Sequence, residues 1–257
     1  MILISSYTDK KLVSYLRPGQ KVLVRFGHGL GDTLMFLPIL DQLRALYPGT
    51  QIDLYVESGQ EQIWKSATDM NDPSYDYIFH LDFPMSEGSL EPKAAKCCRC
   101  EIGIEPVVDV AKLERYPNPL VAVHFNGTAL PGSVGCSETV AAQIWQEIHE
   151  AGFIPIECHF EHVWHNPVNK QFPFVESTVR KSRPELKNLF GLLQNCHAFV
   201  GVASGPFVAA LSIMPDRMFY LESAHKLECY TKLPVPRSNI KAYKAGTIKQ
   251  WLQSTRS

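Results

Sequence analysis

KVLVRFGHGLGDTLMFLPILDQLRALYPG, residues 21–49, carries a strand, a glycine turn and a helix in one run, and its reading decides the fold class. Residues 21–27 are β-branched and apolar. Gly27, Gly29 and Gly31 then let the backbone turn sharply and approach a ligand closely. Beyond them Leu34, Leu37, Leu40, Leu43 and Leu46 recur in three-residue steps, the stripe of a helix. Pro38 removes a backbone donor inside that stripe, and Pro48 with Gly49 closes it.

Working outward, QIDLYVE at 51–57 reads as a second strand, EQIWKSA at 61–67 as a short helix, YDYIFHLDF at 75–83 as a third strand and 101–108 as a fourth. AKLERYPNPL at 111–120 is polar, holds two prolines and reads as a linker. The same alternation then starts again: LVAVHFNG, SETVAAQIWQEIHEAG, FIPIECHF, FPFVES, PELKNLFGLLQNC, AFVGV, GPFVAALSI, RMFYLES and GTIKQWLQS. Strands separated by helices imply parallel pairing through right-handed crossovers. The expected fold is α/β, two Rossmann-like doubly wound lobes over residues 1–114 and 115–257, facing a cleft at the carboxyl ends of their strands where such sheets bind ligands. Only the tails, 1–18 and 252–257, are expected to fray.

A chain of 257 residues is long enough for two lobes that each bury a core. Its 25 basic and 26 acidic side chains leave no electrostatic footprint of the kind that neutralises a duplex, so charge gives no support for a nucleic-acid partner. No stretch approaches the roughly 20 apolar residues of a membrane span, and MILISSYTDKK lacks a signal-like apolar core, so a cytoplasmic protein is expected. Seven cysteines, three of them crowded at Cys97, Cys98 and Cys100, fit a reducing compartment better than a disulfide framework. With His159, His162 and His165 they are the metal candidates. Adjacent cysteines do not converge on one ion without strain and no second C-x-x-C follows, so no metal is expected.

Two glycine-to-helix junctions carry the chemistry. In the first, Gly27-His28-Gly29-Leu30-Gly31-Asp32, the spacing is not the dinucleotide fingerprint. Asp32 there is either a helix cap or a carboxylate at the cleft mouth, placed to accept the proton of an attacking hydroxyl. In the second, Ser204-Gly205-Pro206 opens a helix whose free amides and positive dipole end suit a diphosphate, unless Ser204 simply caps it. A long loop beginning Asn126-Gly127-Thr128 follows the first strand of the second lobe and offers hydroxyl and amide donors.

RFGHGLGDTLMFLPILDQLRALYPGTQIDLYV resembles the opening motif of the lipopolysaccharide heptosyltransferase family, glycosyltransferase family 9. LFGLLQNCHAFVGVASGPFVAALSI resembles that family's second hallmark, and the two stand in the family's order, one per lobe. The resemblance spans roughly residues 20–57 and 119–225. It implies a GT-B architecture, a nucleotide-sugar donor bound mainly by residues 115–257, an acceptor on the side of residues 1–114, and inversion by direct displacement without a metal or other cofactor. Asp32 inherits the role of base. Gly29, Gly31, Asn126, Gly127, Thr128, Ser204, Gly205 and Pro206 become donor-site residues, with Glu161, or alternatively Glu157, on the donor ribose. The acceptor is left open among a glycan, a protein and a modified nucleotide. Ala203 and Val208 stand where the family has aspartate and histidine, and the family's basic residue after the first strand of the second lobe has no counterpart. Those departures keep open a second reading, a catalytically inactive nucleotide- or carbohydrate-binding module of the same fold.

Overall fold

The computed structural model describes residues 2–6, 14–26, 31, 34, 40–41, 43–56, 72–81, 118–125, 136–158, 186–202, 204–221 and 243–255. Among the described residues, eight strands form two four-stranded sheets, each parallel throughout. The first contains β1 (Ile2–Ser6), β2 (Lys21–Phe26), β3 (Gln51–Val56) and β4 (Tyr77–Leu81) in the order β1-β4-β2-β3. The second contains β5 (Leu120–His124), β6 (Ile154–Glu157), β7 (Ala198–Val202) and β8 (Met218–Leu221) in the order β6-β5-β7-β8. The α/β class and the two-sheet arrangement expected from the sequence are what the structure has.

Strands β5 and β7 are buried at every position, which is why LVAVH and AFVGV read as continuous apolar runs rather than alternating ones. One face of the second sheet packs Val121, Val123, Val200 and Val202 against Ala141, Ile144 and Ile148 of the helix Glu138–Glu150, and against Ile248 and Leu252 of the helix Thr247–Ser254. The helix Leu186–Asn195 packs on the helix Gly205–Ile213. In the latter, Pro206 through Leu211 are all buried, so it has no solvent face and its sequence, GPFVAALSI, is apolar all round. Ser137 caps the 138–150 helix, accepting from the Val140 amide at 3.3 Å.

In the first sheet Val22, Val24, Ile52, Leu54 and Phe79 pack against Leu40 and Leu43 from the helical residues after the glycine turn. Two expectations change here. Residues 2–6 are not a frayed tail but an edge strand, in register with β4 from Ile2 opposite Tyr77 to Ser6 opposite Leu81. Residues 252–254 likewise belong to a helix with Leu252 in the core, because that helix lies over the second sheet rather than beyond it. Leu34, Leu40 and Leu43 are buried, whereas Leu46 is 61% exposed. Steps of three fall about 60° short of a full turn, so the stripe drifts round the helix and its last member faces outward. Leu37, Pro38, the expected helix at 61–67 and the expected strands at 101–108 and 172–177 lie outside the described residues.

Candidate functional site

The two glycine-to-helix junctions meet. A Cβ built on the buried Gly31 would lie 3.3 Å from Val208 Cγ2, 3.4 Å from Gly205 Cα and 3.5 Å from the Gly205 amide nitrogen. Gly31, a helical residue beyond the carboxyl end of β2, therefore touches the first turn of the helix that follows β7, and both β2 and β7 are central strands of their sheets. Val208 stands at the place of the histidine in the resembled family. It is 4% exposed and offers Gly31 a methyl group.

Ser204 is the N-cap of the 205–213 helix, with extended backbone (φ −168°, ψ 176°). Its hydroxyl accepts from the Phe207 amide at 3.3 Å and donates to the Val202 carbonyl at 3.1 Å. The cap reading is thus the one the geometry displays. Pro206 has no N–H and is buried, and the Val208 amide donates to the Ser204 carbonyl. Among the described residues nothing accepts from the Gly205 N–H, which is the one donor in this first turn open to an anion.

One strand back, Gly201 answers a different need. A Cβ there would lie 2.7 Å from Cε1 and Cζ of the Phe199 ring and 2.9 Å from the His124 carbonyl oxygen. The ring lies across the strand where a side chain would otherwise stand, and it meets Phe207, which meets Tyr220, edge to face. This aromatic layer seats the 205–213 helix on the sheet and so fixes the height of its first turn.

Two buried polar side chains end the neighbouring strands. His124, at the end of β5, is 3% exposed, with Nδ1 2.9 Å from the Cys158 carbonyl oxygen; a proton on Nδ1 completes that bond. Glu157, at the end of β6, is 1% exposed and pairs in register with Val123. Sequence reasoning missed His124, since a histidine closing an apolar strand has no spacing to mark it. Cys136, Cys158 and Cys196 are free thiols. Burial pushes Cys136 and Cys196 up to about 12, and the Glu157 carboxylate adds to the rise at Cys136. Cys158 is raised well above its ordinary value, by burial first and then by Cys196 and Glu157. All three stay protonated near neutrality, which makes them poor nucleophiles.

On the first sheet, the register sets His80, Arg25 and Tyr55 side by side, each one residue before the carboxyl end of its strand. Registered positions of parallel strands share a face. That polar row was also missed, because it is assembled across three strands from residues that are unremarked within each. Asp32, Gly29, Asn126, Gly127, Thr128 and Glu161 lie outside the described residues, as do Cys97, Cys98, Cys100, His159, His162 and His165. Among the described residues no group of three or more His, Cys, Asp or Glu is placed to hold a metal ion. Nor is any described helix long and apolar enough to cross a membrane.

Two parallel sheets meeting at their carboxyl edges define the class of fold as that of GT-B-type glycosyltransferases. The glycosyl transferase family 9 protein of Veillonella parvula DSM 2008 superposes with a TM-score of 0.53 over 93% of this chain and 90% of its own, at 11% identity. The ADP-heptose lps heptosyltransferase II of E. coli gives 0.54 over 92% and 96%, at 12% identity. The E. coli heptosyltransferase WaaC, solved with ADP-2-deoxy-2-fluoro heptose, gives 0.50 over 91% and 99%, at 16% identity. No family model matches the chain and no curated protein sequence matches it, so the likeness is one of fold.

Proposed function

We propose that the chain is a glycosyltransferase that moves a sugar from a nucleotide diphosphate donor to an acceptor hydroxyl with inversion. Residues 1–114 form the acceptor-side lobe and residues 115–257 the donor lobe, in a cytoplasmic protein. The Asp32 carboxylate takes the acceptor's hydroxyl proton, and the oxygen attacks the anomeric carbon. The bond from that carbon to the diphosphate oxygen breaks, and the nucleoside diphosphate leaves with the electron pair. The Gly205 amide and the dipole of the 205–213 helix take the leaving diphosphate, and Asn126, Gly127, Thr128, Gly29 and Gly31 are further donor ligands, with Glu161 for the ribose. Ser204 and Pro206 act by shaping the turn. No metal is assigned a role.

The observation that carries the reading is the approach of Gly31 to Gly205: the residue next to Gly31 in sequence is Asp32, and adjacent Cα atoms are about 3.8 Å apart. Asp32→Ala should lower turnover by about 10²- to 10⁴-fold while sparing donor affinity. The assay is transfer from a panel of nucleotide sugars to candidate acceptors, with ADP affinity measured in parallel. An Asp32→Ala enzyme that keeps full turnover with the acceptor would make Asp32 a helix cap and end the mechanism. A binding module is the second reading, favoured by Ala203 and Val208 at the family's aspartate and histidine positions. Tight nucleotide-sugar binding without turnover against every acceptor would establish it.

A further inference from the structure

We infer that Gly31 and Val208 form a stop between the two sheets: a contact of backbone against methyl that sets how near the helical residue Gly31 comes to the Gly205 amide. Three observations converge. The space where a Cβ of residue 31 would stand is already bounded by Val208 Cγ2 at 3.3 Å, so even alanine must push its neighbour back by a few tenths of an ångström. Val208 does not yield easily, since it is 4% exposed in a helix buried from Pro206 to Leu211, whose Phe207 rests edge to face on Phe199 of β7. The third boundary of that space is the Gly205 nitrogen at 3.5 Å, so displacement of Gly31 changes its separation from that N–H.

Gly31 and Val208 are therefore positioning residues. They do not touch the reacting atoms, and they fix the separation between the two halves of the site. A histidine at position 208 would offer a polar group at this point. Valine offers an apolar face that makes the approach of Gly31 a matter of size alone.

The inference rests on the proposed glycosyl-transfer site for its functional consequence, but the contact itself is testable without turnover. ADP affinity by calorimetry and thermal unfolding are measured on the full chain for Gly31→Ala, Val208→Ala and the double variant. Gly31→Ala should weaken ADP by about tenfold, and Val208→Ala less, because coupled neighbours in contact depart from additivity. The double variant should regain most of the affinity that Gly31→Ala loses, even though it has lost two core methyl groups and melts below the wild type. A merely structural role for Gly31 would instead leave the double variant the worst of the three in both measurements.

Equal affinity for wild type and Gly31→Ala, or strict additivity in the double variant, overturns the stop. Where Gly31→Ala does not fold, Val208→Ile presses on the same gap from the buried side: weakened ADP binding supports the stop and unchanged binding overturns it. If the wild type binds no ADP and transfers no sugar, the functional reading fails, while non-additive melting of the same variants still decides the contact.

Discussion

Glu147 gives the sharpest test of how the second sheet is held together. The helix Thr247–Ser254 begins at Gly246, which has φ 84° and no side chain to cap the first turn. The missing cap comes from the 138–150 helix: Glu147 Oε1 accepts from the Gly246 amide at 2.7 Å and from the Tyr243 hydroxyl at 3.2 Å. Oε2 accepts from the amides of Ile248 at 2.9 Å and Lys249 at 3.3 Å. Loss of an N-cap costs about 1 kcal/mol, and a negative charge at a helix N-terminus contributes about 0.3–1 kcal/mol more. Glu147→Ala should therefore destabilise by about 2 kcal/mol. Glu147→Gln keeps one acceptor oxygen but turns an NH₂ toward backbone N–H groups, and should cost about 1–2 kcal/mol. For a chain of this size that is a fall in Tm of about 4–8 °C for the alanine variant.

An eight-residue helix is too short to persist alone, so the loss should appear as undocking of Ile248 and Leu252 from the core. Hydrogen exchange at the amides of residues 246–249 reads this directly, alongside circular dichroism melting. Glu150→Ala is the control, since it removes an exposed bridge to Lys249 and should change the melt little. If Glu147→Ala and Glu147→Gln melt like the wild type with the same amide protection, the long-range cap is not what docks this helix.

Gly201→Ala sets a methyl 2.7 Å from the Phe199 ring and should lower the urea midpoint by the equivalent of about 1–3 kcal/mol, or leave the chain insoluble; a normal midpoint would mean the ring moves freely. Ser204→Ala should cost about 1 kcal/mol through the lost cap, with ADP affinity little changed, because the hydroxyl is committed to Phe207 and Val202. A large affinity loss at normal stability would make that hydroxyl a ligand. Cys136, Cys158 and Cys196 should resist alkylation in the folded protein up to pH 9, as read by peptide mass spectrometry. Thiols raised from 9.0 toward about 12 hold their protons more tightly folded than unfolded. Stability should then be full below pH 9 and fall as pH rises toward 12, and a flat profile there would contradict their burial.

Much of the fold was legible because its signals are local. KVLVRF followed by glycines and a leucine stripe names a strand–turn–helix unit from neighbouring residues alone, and AFVGV followed by ASGP does the same. β1 was not legible: ILISS lacks a following helix stripe and becomes a strand only by pairing with β4. The same limit applies to the site. Both junctions could be picked out as candidates, but the Gly31–Val208 contact joins residues far apart in the chain, and no periodicity records it. At Ser204 the sequence left capping and anion binding level; the paired distances to Val202 and Phe207 display the cap. Glu147 gave no sign of its role, since its partners lie about a hundred residues on.

The 205–213 helix, having no wet side, has a mechanical consequence. To slide or tilt it would have to bring Phe207, Val208 and Leu211 into water together, at about 25 cal/mol for every Å² laid bare. It therefore behaves as an anvil fixed to the β5–β8 layer. Gly31 rests against that fixed surface at Val208.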